Sequence, residues 1–588
     1  MNQELAKIFY EIANYLEMDD IAFKPYAYQR AAIALESMEE DVRDIYKRGG
    51  KKELEKIPGV GKSIAEKIEE YIKTGEIKYY EQWKSRLPLN LEEMTSVEGM
   101  GPKRAKILYQ KLGIRNLKDL EKAAKSHKIT SLFGFGEKTE KNILQGIEFV
   151  KRSKGRFLLG EILPEVKKIL EKLKSLKEVE QINVAGSVRR MKETIGDVDV
   201  LITTTPHQKN GGGPKKVMDF FVSLPGITKI WGKGSTKSSI RMKQGFDVDL
   251  RVVQKKSYGA ALQYFTGSKE HNIDLRRIAI EKGLKLNEYG LFKGRKMIAG
   301  WYEPGIYKAL GLAWMEPELR ENQGEIEAAL RQTRGKPNGL PKIIGYHDIK
   351  GDLHCHSDWD GGVNSIMEMA KAAQNMGYEY IGISDHTKFL RIEHGLDEKK
   401  LEQRNKEIDK LNSKFHILHS KFRILKGAET NILKDGSIDI KDESLKKLDY
   451  VIAGIHSNFK MEKPQMTERI IRAMKNPNVD IISHPTGRIL KRRDEYQIDF
   501  DKILRVAKET GTILEINAWP ERLDLNDQNI RRTKTAGVKM IINTDSHQKE
   551  QLRFMEFGVA QARRGWAEKK DIINCWPLGK LLTYFKKQ

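Results

Sequence analysis

The sequence has very little cysteine and no long apolar run. Its two cysteines, Cys355 and Cys575, are far apart in the chain, which excludes a disulfide-dense secreted scaffold and favours a reducing cytoplasm. No apolar stretch approaches the roughly 18 residues of a membrane-spanning helix. The first residues, MNQELAKIFYEIANYLEM, contain acids and lack the apolar core of a signal peptide. We therefore expect neither export nor membrane insertion, and a cytoplasmic location.

Positive charge is what the chain has in excess. Its 106 Lys and Arg residues against 82 Asp and Glu give a formal net charge of +24. Clustered cations gain affinity for a polyanion by releasing its counterions, so a nucleic acid is the expected partner. At about 100–200 residues per domain, the 588 residues predict three to five domains.

Glycine turns separate short amphipathic helices in the first 150 residues. A Gly-x-Gly turn between helices exposes backbone N–H groups that can hold a DNA phosphate without reading sequence. The pattern occurs in IPGVGK, again in EGMGPKR and more loosely in FGFGEK. This repetition predicts helix-hairpin-helix elements in two helical domains, 1–85 and 86–150. The residues expected to contact DNA are Gly59, Val60, Gly61, Gly99, Gly101 and Lys103.

Acidic residues interrupt two later apolar strands. Asp197 and Asp199 share one face of the first strand because strand side chains alternate, and Asp249 lies on the second. Three converging carboxylates suit two Mg²⁺ ions and in-line phosphoryl transfer. Upstream, Gly186-Ser187 ends an apolar run where a helix can begin, which predicts a triphosphate site.

The motifs GSVRR, GDVD, VDLR and YFTGS occur in the order in which they resemble the catalytic centre of family X DNA polymerases. The resemblance implies a palm at 151–255 and a nucleotide-selecting subdomain at 256–317, acting on gapped or primer-template DNA with deoxyribonucleoside triphosphates. Arg251 is expected to pair with the acids. Asp247 stands where the animal enzyme has an arginine, and either a bystander role or a change in metal affinity is open. The residues implied to bind the nucleotide are Gly186, Ser187, Arg190, Tyr264, Phe265, Thr266, Gly267, Asn272 and Arg276.

The first segment also resembles the lyase domain of that family. Lys67 falls at the position of its Schiff-base lysine and Tyr28 near the same pocket, whereas Ser63 stands where the animal enzyme has a second lysine. A lysine that attacks an abasic-site aldehyde must first lose its proton, which needs nearby cations or desolvation. The resemblance thus implies an abasic-site lyase at Lys67.

Histidines and acids follow a series of apolar runs in the last third of the chain. After a connection at 318–347 there are seven strand-like runs with helical stretches between most of them, and in such barrels the carboxyl ends of the strands form the active-site face. Mixed imidazole and carboxylate ligands suit Mn²⁺, Zn²⁺ or Fe²⁺, and so many of them suggest two or three ions. The ligands predicted from these positions are His354, His356, His386, Glu429, His456, His484, Asp545 and His547.

The motifs DLHCHSDWDGG, SDHT, GAET, GIHS, SHPTGR and TDSH resemble the polymerase and histidinol phosphatase (PHP) superfamily. The resemblance implies a distorted (β/α)₇ barrel within 348–588 and a trinuclear metal site. It makes Asp360 a ninth ligand, with Asp358 as the rival for that role. Cys355 is expected to pack away from the site by strand alternation.

The whole chain is similar to bacterial and archaeal family X polymerases with a C-terminal PHP domain. It predicts a multidomain α+β and α/β protein, a monomer that fills short gaps in DNA repair with Mg²⁺. The barrel, with Mn²⁺ or Zn²⁺, is expected to be a 3′–5′ exonuclease, and cleavage at abasic sites is open. A PHP phosphatase fused to a non-polymerising DNA-binding module is the alternative, and a non-catalytic DNA-binding scaffold would not need two sets of metal ligands.

Overall fold

The computed structural model describes most of the chain. The described ranges are 1–19, 21, 24–38, 40–57, 59–95, 97, 100–132, 134–152, 155–205, 212–390, 393–417 and 421–585. The predicted DNA contact Gly99 lies outside them. No helix within these ranges is both long enough and apolar enough to cross a membrane.

The first 152 residues form short helices around one hydrophobic core. Leu5, Phe9, Ile12 and Leu16 recur at helical spacing and are fully buried. The core continues to Ile147, so that both predicted helical domains share it. The helices are α1 (Asn2–Met18), α2 (Lys24–Ser37), α3 (Val42–Gly49), α4 (Lys51–Leu54), α5 (Lys62–Thr74), α6 (Lys78–Arg86), α7 (Leu91–Thr95), α8 (Pro102–Leu112), α9 (Leu117–Lys125) and α10 (Glu137–Arg152).

The region predicted as the palm contains a five-stranded mixed sheet with the order β2-β4-β7-β6-β5. Its elements are β1 (Phe157–Leu158), α11 (Leu159–Lys174), β2 (Val179–Val184), α12 (Gly186–Arg189), β3 (Thr194–Ile195), β4 (Asp197–Thr204), α13 (Gly212–Phe221), β5 (Ile227–Lys233), β6 (Lys237–Met242) and β7 (Asp247–Val252). Alternate residues of β4 and β7, including Val198 and Val248, are fully buried against α11 and α13. The opposite face of these strands is left for the acids.

The next region packs helices around a three-stranded antiparallel sheet, β10-β9-β8. Its elements are α14 (Tyr258–Thr266), α15 (Lys269–Glu281), β8 (Lys285–Asn287), β9 (Gly290–Lys293), β10 (Lys296–Ala299), α16 (Glu303–Ala309) and α17 (Glu325–Thr333). The predicted connection at 318–347 is not a loose linker, because Arg320 and Glu325 are fully buried and Ile326 joins the core of this region.

The last region is a parallel barrel built from two sheets, β11-β12-β13 and β14-β15-β16-β17-β18. Parallel bridges between His386 and Glu429 and between Cys355 and Ser546 join the two sheets at both seams. The strands are β11 (Gly351–Cys355), β12 (Tyr380–Ile383), β13 (Arg423–Lys426), β14 (Glu429–Asn431), β15 (Ile452–Gly454), β16 (Ile481–Ile482), β17 (Ile513–Asn517) and β18 (Met540–Asn543). The helices are α18 (Ile366–Asn375), α19 (Glu398–Ile417), α20 (Asp442–Leu445), α21 (Lys463–Met474), α22 (Phe500–Thr510), α23 (Asp527–Ala536), α24 (Met555–Arg564) and α25 (Leu578–Phe585).

The seven predicted barrel strands are all present, with one difference. The third run is divided into β13 and β14, because the chain changes from one sheet to the other at Gly427 and Ala428. Cys355 is buried in an apolar cluster outside the predicted ligand set, as strand alternation predicts. The distorted barrel predicted for the fold is confirmed.

The palm region and the barrel pack directly against each other. Leu523 and Phe557 of the barrel belong to the hydrophobic core of the palm. A Cβ atom at Gly160 would lie only 2.3 Å from Pro520, so this approach needs glycine. Polar groups add to the contact, since Arg488 Nη2 lies 2.7 Å from Glu193 Oε2.

Candidate metal centres and nucleotide site

Two neighbouring strands bring the predicted palm acids together. Strand β4 pairs in parallel with β7, so that Asp197 lies beside Asp247 and Asp199 beside Asp249. Residues two apart share a face of a strand, and these acids therefore project to the same side. Burial, and then the charges of Asp197 and Asp249, raise the pKa of Asp199 from 3.8 to about 6. Divalent cations relieve such repulsion, so the arrangement suits a metal centre.

The turn after β2 approaches these acids closely. Gly186 has φ +61°, and a Cβ atom there would lie 2.9 Å from Asp199 Oδ2. The residue before it, Ala185, donates its backbone N–H to Asp199 O over 2.8 Å. Gly186 and Ser187 begin the single turn α12, so the predicted triphosphate turn lies at the edge of the acid cluster. The side chain of another residue would fill this space, which accounts for the glycine.

Basic and hydroxyl groups surround Asp249. Ser239 Oγ donates to Asp249 Oδ1 over 2.5 Å. Lys237 Nζ lies 3.0 Å and Arg251 Nη2 3.6 Å from Asp249 Oδ2. The expected pairing of Arg251 with an acid is therefore present. The Arg251 guanidinium also lies over Phe265, 4.5 Å from the ring centroid.

Arg190, predicted to bind the nucleotide, is engaged within the protein. Its Nε donates to Glu321 Oε1 over 2.9 Å, and its Nη1 donates to the carbonyl of Thr266. A Cβ atom at Gly267 would lie 3.1 Å from Arg190 Nη1. Arg190 therefore fixes the Thr266–Gly267 turn against the palm, and its role toward a nucleotide stays a prediction.

A buried ion network that the motifs did not indicate supports this turn. Arg189 donates to both carboxylate oxygens of Glu303 over 2.8 and 2.7 Å and to Thr266 Oγ1 over 2.7 Å. Arg320, fully buried, lies 2.6 Å from the same carboxylate. Burial alone would raise the pKa of Glu303, but Arg320 and Arg189 lower it to about 2. Of these residues only Arg189 lies in one of the motifs, GSVRR. Glu303 and Arg320 lie far along the chain in stretches without a motif.

The remaining predicted nucleotide residues cluster at the end of α14. The rings of Tyr264 and Phe265 are half-buried and meet edge to face, with centroids 5.2 Å apart. Asn272 Nδ2 donates to Tyr264 O over 2.6 Å, and Asn272 Oδ1 accepts from Gln263 Nε2 over 2.6 Å. Arg276 Nε donates to Asn272 O over 3.2 Å. Asn272 thus holds the aromatic turn in place.

The barrel collects its histidines around one carboxylate. Glu429, at the start of β14, is within 2.9–3.3 Å of the ring nitrogens of His354, His386, His456 and His484. A second carboxylate, Asp545, adds contacts to His354 and His356 at 3.5 and 3.4 Å. Three groups able to hold a metal ion follow from these positions: His356, His386 and His547; His354, His356, Glu429 and Asp545; and His386, Glu429 and His456.

The polar atoms of this cluster fit metal ions better than they fit one another. His354 Nε2, His356 Nε2, His386 Nδ1 and Glu429 Oε2 are buried and make no hydrogen bond, although they are only about 3–4 Å apart. Ligand bonds of about 2.0–2.2 Å to one ion place neighbouring ligand atoms at this kind of spacing. Burial lowers the pKa of both His456 and His547 to about 4, which leaves neutral imidazoles, whereas neighbouring carboxylates raise the pKa of His354 and His356 against the effect of burial. Neutral imidazole is the form that binds metals.

Asp360 and its rival Asp358 differ in position. Asp360 is buried, its Oδ2 lies 2.7 Å from His356 Nδ1 and it accepts the backbone N–H of His386 over 2.7 Å. With His356 and Asp385 it forms a further group able to hold an ion. Asp358 is exposed, and its backbone donates to Asn364 O. The geometry therefore supports Asp360 over Asp358 as the residue of the site.

Comparisons with known proteins match separate parts of the chain to different family models. The models of the DNA polymerase beta palm and thumb match residues 160–229 and 261–321. The helix-hairpin-helix domain, the SAM-like helix-hairpin-helix tandem and the PHP domain match 1–77, 91–148 and 352–518. The DNA polymerase/3′-5′ exonuclease PolX of Bacillus subtilis (strain 168) is 35% identical over 100% of this chain and 99% of its own length. The chain belongs to the PolX family.

Other similarities cover parts of this PolX chain. A probable phosphatase of Thermoanaerobacter sp. (strain X514) is 31% identical over 40% of this chain and 94% of the relative. The crystal structure of Leishmania infantum polymerase beta in a ternary P/T complex is 26% identical over 39% of this chain and 97% of that chain, with a TM-score of 0.26. The matched family models and the full-length relative confirm the predicted family and its polymerase and PHP parts.

Orienting partners of the PolX barrel histidines were missed from the sequence. Glu515 Oε1 lies 2.7 Å from His354 Nδ1, and Asn431 Oδ1 lies 2.7 Å from His456 Nδ1. Such contacts fix the ring and leave its other nitrogen for a metal. Glu515 did leave a signal, because a glutamate inside the apolar strand ILEIN needs a buried partner.

Lys67 lies among aromatic rings in the helical domain. Its Nζ is 5.0 Å from the centroid of Tyr79 and 5.9 Å from that of Tyr28. It donates to Ser63 Oγ over 3.1 Å. Ser63 stands where the animal enzyme has a second lysine. Burial lowers the pKa of Lys67, and Lys24 adds to this shift against nearby glutamates. The direction favours a nucleophilic amine, and the lyase role stays a prediction.

Glycine turns precede helices α5 and α8. Gly61 and Gly101 are the N-caps of α5 and α8, and neither end has a side-chain cap. Gly59 has φ +78° and lies against the backbone of Arg30. Val60 packs its side chain in the core and donates its N–H to Ile57 O, while Lys103 is exposed. The N-terminus of α5, which has no side-chain cap, is thus available to phosphate.

Proposed function

We propose that this PolX chain fills short gaps in DNA at its palm and removes 3′ nucleotides from the same primer at its barrel. The observation that carries the proposal is that one chain holds two separate metal-fitting clusters. One is the carboxylate face of β4 and β7 beside the Gly186 turn. The other is the set of buried nitrogen and oxygen atoms around Glu429 that make no hydrogen bond and could bind a metal. Full-length similarity to a DNA polymerase/3′-5′ exonuclease supports both halves.

At the palm, we infer that Asp197, Asp199 and Asp249 hold Mg²⁺. Bound divalent ions would neutralise charge on the transferring phosphoryl group and on the acids themselves. The chain's own contribution is positioning. Gly186 lets the triphosphate approach Asp199, and the turn at Thr266–Gly267, fixed by Arg189 and Arg190, places the half-buried rings of Tyr264 and Phe265 near the acid face. A ring at the sugar would favour deoxyribonucleotides.

At the barrel, we infer two or three Mn²⁺ or Zn²⁺ ions, because three of the four groups of candidate ligands mix imidazole nitrogen with carboxylate oxygen and the fourth consists of three imidazoles. Such ions would activate water and neutralise a phosphodiester. Glu515 and Asn431 hold the rings of His354 and His456 in a single orientation.

Two variants separate the activities. Asp199→Ala should abolish primer extension, with a loss of several orders of magnitude, because a charged ligand at the centre of the palm cluster is removed. It should leave 3′ trimming intact. His354→Ala combined with His356→Ala should do the reverse. The assay is a 5′-labelled primer on a one-nucleotide gap with nucleotides and Mg²⁺, and a mispaired primer without nucleotides in Mn²⁺.

Three results would contradict this assignment. Primer extension by Asp199→Ala at the wild-type rate would remove the palm role, and trimming by the double histidine variant at the wild-type rate would remove the barrel role. Intact 3′ ends with the wild-type protein, together with cleavage of abasic-site DNA or of small phosphate esters, would favour an endonuclease or a phosphatase. The similarity to probable phosphatases makes the ester assay a necessary control.

We also infer that Lys67 is an abasic-site lyase nucleophile. The specific observation is the half-buried amine between Tyr79 and Tyr28, whose pKa is lowered by burial. Borohydride should trap the protein on abasic DNA, and Lys67→Ala should lose at least nine-tenths of the trapping. Lys62→Ala is the matched control on the same helix, since Lys62 is exposed. Equal trapping by Lys67→Ala would place the nucleophile elsewhere.

The proposal takes the protein to act as a cytoplasmic monomer. Both cysteines are buried and free, as expected for a reducing compartment. Sedimentation with and without gapped DNA tests the monomer, and a stable dimer at micromolar concentration would contradict it.

A further inference from the structure

The outer hairpin of the palm sheet exposes a tryptophan beside the acid face. Strand β5 is the edge strand, and all of its residues after Ile227 are exposed. Trp231 is 48% exposed. An edge strand needs only charge to avoid pairing with other chains, and the lysines of β5 supply it. A large half-exposed indole therefore calls for another explanation.

The Trp231 ring is held in place from three sides. Its Nε1 donates to Asp247 Oδ1 over 2.9 Å. Lys229 Nζ lies 3.7 Å and the Arg241 guanidinium 4.9 Å from the ring centroid. Arg241 in turn binds both oxygens of Asp247 over 2.8 and 2.9 Å. The strand that carries Asp249 thus fixes the indole through Asp247.

These contacts bear on the open question about Asp247. Arg241 binds both of its oxygens, and Trp231 donates to one of them. Asp247 is paired in register with Asp197 and lies two residues before Asp249. Through its hydrogen bond to the indole, Asp247 supports the aromatic ring.

The geometry of in-line phosphoryl transfer indicates which substrate strand lies over the Trp231 ring. The attacking and leaving oxygens lie on opposite sides of the phosphorus. The triphosphate turn at Gly186 follows β2, on one side of the acid strands, whereas β6 and β5 lie on the other side. The primer end must therefore reach the acids from the side of β6 and β5. Lys237, Arg241 and Lys229 lie on that approach.

We propose that Trp231 and Lys229 bind the sugar–phosphate backbone of the primer strand, with Asp247 as the residue that positions the indole. The ring packs on a deoxyribose and the ammonium group meets a neighbouring phosphate. This inference rests on the proposed polymerase function and adds the path of one substrate strand. It commits to the primer rather than the template, because only the primer end is attacked from this side.

DNA affinity tests the aromatic contact. The probe is a fluorescein-labelled duplex with a one-nucleotide gap, titrated by anisotropy at several salt concentrations. Trp231→Ala should weaken binding about five- to ten-fold, whereas Trp231→Phe should stay within about three-fold, because an apolar ring is what the sugar contacts. The KM for the nucleotide should not change. Affinity of Trp231→Ala equal to wild type would overturn the proposal.

A pair of lysines tests the charge contact even if a tryptophan variant fails to fold. Lys229→Ala should lower the slope of log affinity against log salt by about one, as expected for one lost phosphate contact. Lys580→Ala is the matched control, since Lys580 also lies over an indole, 4.2 Å from the centroid of Trp576, outside the palm. It should leave the slope unchanged. Equal slopes for wild type and Lys229→Ala would overturn the proposal.

Neutral phosphates identify the strand. Methylphosphonates near the 3′ end of the primer should abolish the difference between wild type and Lys229→Ala, and the same groups in the template should preserve it. A difference that disappears only with template substitution would overturn the primer assignment. Because binding is measured without catalysis, a protein that binds as expected but does not extend primers would refute the proposed function alone.

The role of Asp247 has its own readout. Asp247→Ala and Trp231→Ala should weaken DNA binding to a similar extent, and the double variant should be no weaker than either, because both changes remove one contact. The Mg²⁺ concentration for half-maximal extension should not move. A large increase in that concentration with additive effects on DNA binding would identify Asp247 as a metal ligand and overturn its positioning role.

Discussion

The ion pair between Glu193 and Arg488 is a direct test of how the palm supports the barrel. Arg488 Nη2 and Nη1 lie 2.7 and 3.3 Å from the two oxygens of Glu193. The Arg488 side chain is 9% exposed and that of Glu193 27%. Losing one partner of a buried pair costs about 3–5 kcal/mol. Because Glu193 keeps some contact with water, we expect about 2 kcal/mol for Glu193→Ala and about 1 kcal/mol for Glu193→Gln.

The consequence for function follows from the position of Arg488. It lies four residues beyond His484 in the motif SHPTGR and donates to the carbonyl of Leu523. His484 Nε2 lies 3.0 Å from Glu429 Oε1, and its backbone N–H donates to Glu515 Oε2 over 2.8 Å. An unpaired Arg488 should loosen this loop. We therefore expect 3′ trimming to fall about ten-fold in Glu193→Ala while primer extension falls by less than about two-fold.

A double-mutant cycle measures the coupling. Urea unfolding and 3′ trimming are recorded for Glu193→Ala, Arg488→Ala and the double variant, with Lys167→Ala as the control for an exposed palm–barrel pair with Glu556. Coupling of at least about 1 kcal/mol is expected, and effects that add to within about 0.5 kcal/mol would refute the reasoning. Arg488 lowers the pKa of Glu193 against the effect of burial. The stabilisation is present above the unfolded pKa and is lost as pH falls through the folded value.

Two further predictions concern single acids of the barrel. Burial raises the pKa of Asp480 from 3.8 to about 7, opposed by the hydrogen bond from the N–H of Val451. The folded protein therefore favours the protonated carboxyl, and the free energy of unfolding falls as pH rises from about 4 to 7. Asp480→Asn should therefore be more stable than wild type by about 2–4 kcal/mol at pH 8 and equal at pH 4, and a constant difference in urea unfolding across this range would contradict it. Asp360→Asn should lower the Mn²⁺ content after dialysis by at least one ion per chain, whereas Asp358→Asn should leave it unchanged. Equal metal content in the two variants would remove Asp360 from the site.

The ligands of the barrel were predictable because two signals coincide at each of them. A parallel strand that is buried on both faces is a short apolar run, and its carboxyl end opens on the active-site face. A histidine or acid at that end, such as His386 or Asp545, interrupts the run and is visible in one sequence. The palm acids have a similar signal, since Asp197 and Asp199 alternate with buried valines.

Groups that act through long-range partners left no such signal. Glu303 and Arg320 hold the Thr266–Gly267 turn, but each lies in a stretch without a motif and pairs with a residue more than a dozen positions away. The sequence also placed a linker at 318–347, because polar and Gly/Pro-rich composition is typical of one. Buried ion pairs give a folded segment the composition of an exposed one, so composition alone cannot separate the two.

Asp247 shows where pattern and contact differ most. By alternation it belongs to the same face as Asp249, and from the sequence it is as good a candidate for a metal as its neighbour. What distinguishes the two is the strands beside them: Ser239 and Lys237 contact Asp249, whereas Arg241 binds both oxygens of Asp247 and the indole of Trp231 donates to one of them. The pairing of β6 with β7 decides this, and register between strands depends on the whole sheet rather than on either strand. The chemistry of a carboxylate can thus be predicted from its own strand, but its role only from its neighbours.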